Sequence, residues 1–114
     1  MEIAESTHGS VLVLSPKGRL DSTGSPDLER VVRDRLAAGH RRLVIDFGAL
    51  DYVSSAGLRI LLVAGKALKA AGGQIALCRL TGAVMEVFRI SGFDRIFTIL
   101  PTIEQSVGRI GPEI

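Results

Sequence analysis

Leu43-Val44-Ile45-Asp46-Phe47 and, a few residues on, Tyr52-Val53-Ser54-Ser55-Ala56-Gly57-Leu58-Arg59 are the stretch on which the fold turns. Leu43 to Ile45 is a compact apolar run with no polar residue between its members. Such a run suits a central strand covered on both faces. Asp46-Phe47-Gly48 ends it, and a loop holding Leu50, Asp51 and Tyr52 is expected to follow. A helix is then predicted from about Ser55 to Ala71, stopped by Gly72-Gly73. A buried strand running into an apolar helix is half of a parallel crossover unit.

The rest of the chain repeats that unit. Upstream, Glu2 to Ser6 is a candidate strand, His8-Gly9-Ser10 a turn, and Val11 to Leu14 a second strand. Pro16 and Gly18 place the following residues near a sheet edge or a break. Ser25-Pro26-Asp27 reads as an N-cap, a proline at the first helical position and an acid in the first turn. Leu28, Val31, Val32 and Leu36 then recur at helical spacing up to Gly39. Downstream, Gln74 to Cys78 reads as a strand. Thr81 to Gly92 reads as a helix carrying Val84, Val87, Phe88 and Ile90. Ile96 to Leu100 is a last strand, and the capping-box spacing of Thr102 and Gln105 predicts a short terminal helix. The expectation is an α/β fold: a mixed sheet with mostly parallel core strands, packed by about four helices, in one domain over residues 1–114.

Composition narrows the function. Of 114 residues, 46% are hydrophobic, 23% charged and only 4% aromatic, so a core of Val, Leu, Ile and Ala is implied. The net charge of +2 is spread along the chain, without a basic block, and no nucleic-acid partner is expected. The apolar tract Leu58 to Ala71 is interrupted by Arg59, Lys66 and Lys69, so direct membrane insertion is not expected. One cysteine, Cys78, and a start without an apolar core point to a cytoplasmic protein. The chain has no GxxxxGK[ST], GxGxxG or GxSxG, and its histidines are His8 and His40 alone. Neither a metal site, a cofactor nor an enzymatic activity is therefore expected. Asp46 and Asp51 fall at strand ends and read as loop or cap formers.

The segment from Asp51 to Arg59 stands apart. It lies beyond the carboxyl end of a buried strand, where open α/β sheets concentrate function. Ser54 and Ser55 sit where a helix begins, and the unpaired amides and positive dipole end of that helix would accept a phosphate. The same two serines also read as an ordinary N-cap. Arg59, Lys66 and Lys69 project near the line of Ser55, either as a basic docking stripe or as a solvated face.

Together these segments resemble the STAS domain family, and in particular its stand-alone bacterial anti-sigma-factor antagonists. Gly18-Arg19-Leu20-Asp21 resembles the family's Gly-x-Leu-Asp step, Leu43 to Phe47 its central strand, and Tyr52 to Leu58 its phosphorylation loop. Ser91-Gly92-Phe93 and Ile96-Phe97 resemble its late helix end and strand. The resemblance implies phosphorylation at Ser55, with Ser54 the second candidate. It implies a partner surface of Asp21, Ser54, Ser55, Ala56, Gly57, Leu58 and Arg59. It also implies two partners: an anti-sigma factor that is a serine protein kinase of the ATP-binding GHKL type, and a metal-dependent serine phosphatase. The unphosphorylated form would bind the kinase and release a sigma factor, and phosphorylation would end the complex. Many members carry Asp where this chain has Ser54, and Ser or Thr where it has Ala56. A different reading within the family is a structural STAS subunit of an ABC-type lipid-transport complex, which needs no phosphorylation. A scaffold of a stress-sensing assembly and a small-ligand binder are weaker alternatives.

Overall fold

The computed structural model of the protein describes residues 1–111. Its elements are β1 (Glu2–His8), β2 (Val11–Leu20), α1 (Ser25–Ala37), β3 (Arg42–Asp46), β4 (Leu50–Val53), α2 (Ser55–Ala70), β5 (Gln74–Cys78), α3 (Gly82–Ser91), β6 (Thr98–Leu100) and α4 (Ile103–Ile110). The strands form one sheet in the order β1-β2-β3-β5-β6, with β4 also paired to β2. Only β1 and β2 run antiparallel; every other pairing is parallel. This is the mixed, mostly parallel sheet with four helices that the apolar runs and glycine stops predict.

The alternation of side chains explains how such uniformly apolar strands are buried. On one face Leu12, Leu14, Leu43, Ile45 and Leu77 meet α1, α2 and α3 through Leu28, Val32, Leu61, Leu68 and Phe88. On the other, Val11, Val13, Val44, Ala76 and Cys78 are covered by Ile110 of α4, with Ile103 and Val107 beside it. Leu43, Val44 and Ile45 are all buried because β3 is central in both layers. Cys78 lies in the second layer, and burial pushes its thiol up to about 11.

Three expectations need correction. The stretch from Leu50 to Tyr52 is not a loop: it begins β4, which pairs with the carboxyl half of β2. β2 does not stop near Pro16 but continues to Leu20. Its ladder with β3 ends at Leu14 and its ladder with β4 starts at Gly18, so Pro16 occupies a stretch lacking a partner on that side. The proline marks a break between two ladders, not the end of a strand. Finally, α1 is not capped by Ser25. Gly24 holds the N-cap position, and Ser25 is the first helical residue, with its hydroxyl buried and unpartnered.

Smaller differences follow the same logic. β1 extends to His8 because its whole length pairs with β2. β6 starts at Thr98, since Phe93–Arg95 forms a 3-10 turn first. The readings at Gly92 and Thr102 hold. Gly92 ends α3 in the left-handed region at φ 79°, and the Thr102 hydroxyl accepts the Gln105 N–H at 3.1 Å to start α4. Thr81 occupies the N-cap position of α3 but makes no capping hydrogen bond with its side chain.

Candidate functional site

The segment from Asp51 to Arg59 straddles the junction between β4 and α2. Ser54 is the N-cap of α2 in extended geometry, at φ −92° and ψ 175°. Its hydroxyl accepts the Gly57 N–H at 3.3 Å and donates to the Leu20 carbonyl at 3.3 Å. The Ser54 N–H donates to the same carbonyl at 2.9 Å. Leu20 is the last residue of β2, so two hydrogen bonds from one serine anchor the helix start to the strand end.

Ser55, one residue on, is in a different position. It is the first helical residue and is exposed, and its hydroxyl has no hydrogen-bond partner among the described residues. The N–H groups of Ser55 and Ala56 likewise find no acceptor there, as the first amides of a helix do not. The capping role and the accessible hydroxyl, which the Ser-Ser pair left open, thus fall on different residues. Arg59 is exposed one helical turn after Ser55.

The other residues expected at the site divide into those that build it and those on its surface. Gly57 is buried, and a Cβ there would lie 2.5 Å from the Leu20 carbonyl oxygen. No side chain fits between α2 and the end of β2. Leu58 is half-buried and packs against the main core, and Ala56 is half-buried. Asp21 follows Leu20 and braces the loop into α1. Its Oδ1 accepts the N–H groups of Thr23 and Gly24, each at 3.0 Å, and the Thr23 hydroxyl at 2.7 Å. These bonds, that of Gly24 foremost, hold its carboxyl down at about 2. Gly24 must be glycine, since a Cβ there would lie 2.5 Å from the Arg19 carbonyl oxygen.

Two surface residues of the quoted segments form a contact that the sequence alone does not reveal. Arg19 and Tyr52 lie directly across from each other in the β2–β4 ladder. The Arg19 guanidinium sits 4.1 Å from the centre of the Tyr52 ring, and its Nε is 3.5 Å from Asp21. Tyr52 is 40% exposed, so a cation–π pair forms a platform at the same end of the sheet as Ser55. The signal that finds this pair is the register of β4, which is lost when those residues are read as a loop.

Of the carboxylates at strand ends, Asp51 is exposed with no hydrogen-bond or ion-pair partner among the described residues, whereas Asp46 is engaged. Asp46 is buried and accepts from Ser15 Oγ at 2.9 Å, the Gly48 N–H at 3.0 Å and Arg79 Nε at 2.8 Å. Among the described residues none of Asp21, Asp46 and Asp51 is hydrogen-bonded to Ser55.

Two measurements check this geometry. Helix propensity alone favours Gly57→Ala by about 1 kcal/mol, whereas overpacking costs about 1–3 kcal/mol. The clash with the Leu20 carbonyl should win, lowering the thermal unfolding temperature; a rise would contradict the packing. The depressed carboxyl of Asp21 gives stability that is complete above its ordinary value of 3.8 and lost as pH falls through about 2. In Asp21→Asn, unfolding temperature at neutral pH should be lower than in wild type. It should also fall less steeply between those two values, while parallel acid limbs would exclude the brace.

The model of the family described as STAS domain matches residues 2–106. A Bordetella bronchiseptica protein, BtrV, named as a candidate anti-sigma factor antagonist, is 42% identical over 89 residues, covering 78% of this chain and 77% of its own. A solved Thermotoga maritima protein described in the same way superposes with a TM-score of 0.91 at 21% identity, over 96% of this chain and 95% of that one. The Bacillus anti-sigma factor antagonist SpoIIAA is similar in both solved forms. Its unphosphorylated form gives a TM-score of 0.74 at 17% identity over 96% of this chain and 97% of its own. Its phosphorylated form gives 0.73 at 19%, over 96% and 99%. At these identities the solved structures speak for the fold. The family match and the identity to BtrV carry the further conclusion that the chain belongs to the STAS domain family.

Proposed function

We propose that the protein is an anti-sigma-factor antagonist whose partner binding is switched by phosphorylation of Ser55. The observation that carries this reading is the division of labour at the start of α2. Ser54 is spent on the cap, while Ser55 presents a free hydroxyl beside unpaired helix amides. The names borne by BtrV and by SpoIIAA support the antagonist role, and SpoIIAA is itself found in a phosphorylated form. The unphosphorylated protein binds an anti-sigma factor that is a serine kinase of the GHKL type and so frees a sigma factor. The kinase transfers the γ-phosphoryl group of ATP to Ser55 Oγ, releasing ADP and the hydroxyl proton. A metal-dependent phosphatase reverses the modification by hydrolysis. The chain itself acts as a regulator in the cytoplasm and supplies no catalytic group.

The physics of the switch lies in the interface. Phosphorylation adds about −1.5 to −2 charges at neutral pH. The dipole and open amides of α2 receive that charge locally, so the fold is retained. Arg59, one turn along, is a second local counter-charge. The partner surface that covered Ser55, Arg19 and Tyr52 then faces a dianion whose desolvation costs several kcal/mol. Each step of about 1.4 kcal/mol is tenfold in affinity, so orders of magnitude are within reach.

Binding of Ser55 variants to the kinase that co-purifies with the wild-type chain from its own cells is the test. Ser55→Asp should weaken the complex by roughly tenfold or more, and Ser55→Ala should bind like wild type and resist release on addition of ATP. Equal affinity of the two variants, with ATP releasing both, would overturn the switch. Co-purification with transporter subunits in place of a kinase would favour a structural role in a lipid-transport complex.

A further inference from the structure

The basic stripe of α2 does not end with the switch. Lys66 lies eleven residues beyond Ser55, about 16 Å along the helix, and with Lys69 it borders a cavity of about 570 Å3. The cavity lies between the last turns of α2, the start of β5, the edge strand β6 and the end of α4. Its walls are mainly apolar, with Leu62 from α2, Ile75 from β5, Phe97 before β6 and Ile110 from α4, beside the polar Gln74 and Thr98. Gly65 contributes no side chain to the wall, and a Cβ there would come within 3.1 Å of the Phe97 ring. At the cavity Ile96 is 60% exposed, an apolar side chain that the described residues leave largely uncovered.

Among the described residues, the charges lining the cavity have one sign. Lys66, Lys69 and Arg109 come from two helices and meet at it, and no Asp or Glu is among its lining residues. Among the described residues none of the three is in an ion pair, whereas Arg19, Arg30, Arg33, Arg35, Arg79 and Arg89 are. A concave apolar site of this size, about 300–1,000 Å3, fits a small molecule better than a protein surface. Three cations at its rim, unpaired among the described residues, favour an anion, and the apolar part of the walls favours a chain over a free inorganic ion.

From this we infer that the cavity between α2, β5, β6 and α4 is a binding site for an amphipathic anion, an alkyl chain ending in a carboxylate or phosphate. The chain lies against Leu62, Ile75 and Phe97, with Ile96 closing over it, and the head group meets Lys66, Lys69 and Arg109. Such a ligand has two sources, a free fatty acid or a lipid whose anionic head stays in a bilayer. The site is independent of the Ser55 switch.

Calorimetric titration of the full chain with decanoate, below its micellar concentration, tests the inference alongside amide chemical-shift mapping. Decanoate should bind saturably, moving the amides of Gly65, Lys66, Ile75 and Thr98 and leaving that of Ser55 in place. Decanol, with the chain but no charge, and inorganic phosphate, with the charge but no chain, should each bind roughly tenfold more weakly or worse. The double variant Lys66→Glu, Lys69→Glu changes exposed residues only and should lose roughly tenfold or more in affinity at an unchanged unfolding temperature. Ile96→Asp, also exposed, should do the same. Saturation by decanoate identifies the free acid as the source. Co-sedimentation with phosphatidylglycerol vesicles that is lost in the double variant identifies a bilayer lipid, and either upholds the site. No saturation by either probe, shifts centred away from the cavity, or equal binding by the charge-reversed chain would overturn it.

Discussion

The carbonyl oxygen of Leu20 fixes where helix α2 begins. It accepts both the N–H and the hydroxyl of Ser54, at 2.9 and 3.3 Å, and it bars any side chain at Gly57. An acceptor at the end of a strand thereby sets the position, the cap and the close approach of the helix that follows β4. Removing a cap costs about 1 kcal/mol in general, and here the cap also carries the tie between two elements. The start of the helix at the site rests on this anchor. Ser55 is exposed because Ser54 is engaged, and Tyr52 lies across from Arg19 because β4 is held alongside β2.

That anchor works because the sheet beneath it is stiff. β2 is the longest strand and pairs with β1 on one flank and with β3 and then β4 on the other. Its apolar residues point alternately into the large layer under α1, α2 and α3 and the smaller one under α4. Burial on both faces leaves little freedom of register, since a slip of one residue would exchange the two layers. At the carboxyl end of β3 the buried Asp46 is held by Ser15, Gly48 and Arg79 together. A buried carboxylate with three partners is a structural element, and this explains why an aspartate at a strand end need not be catalytic. Helix α2 spans the molecule between two surfaces of different chemistry. Its N-terminus offers a hydroxyl and open amides, and its last turns offer lysines over an apolar cavity.

Most of the fold was legible in the sequence because its signals are local. Leu43 to Ile45 suits a covered strand, Gly92 and Thr102 mark the ends of helices by backbone chemistry, and Gly72-Gly73 stops α2. β4 was not legible. Leu50 and Val53 are buried with Asp51 and Tyr52 exposed between them, which breaks the alternation that identifies a strand. Its strand character comes from pairing with β2, far away in the chain. The start of α1 misled for a related reason: Ser25-Pro26-Asp27 has the right local chemistry, but the carboxylate of Asp21 and the space at Gly24 already satisfy that turn. At the site, the sequence located the loop and both serines but not which of them caps. Only the direction of the Ser54 hydroxyl toward Leu20 separates their roles. The pairing of Arg19 with Tyr52 stayed hidden together with β4.

The central claim is that the Ser54 hydroxyl is structural and the Ser55 hydroxyl is the one open to modification. Peptide-level mass spectrometry of the protein isolated from its own cells, with and without phosphatase treatment, tests it most directly. The account predicts a phosphatase-sensitive phosphate on Ser55 and none on Ser54. A phosphate on Ser54, or an unmodified segment from Tyr52 to Arg59 under every growth condition, would contradict it.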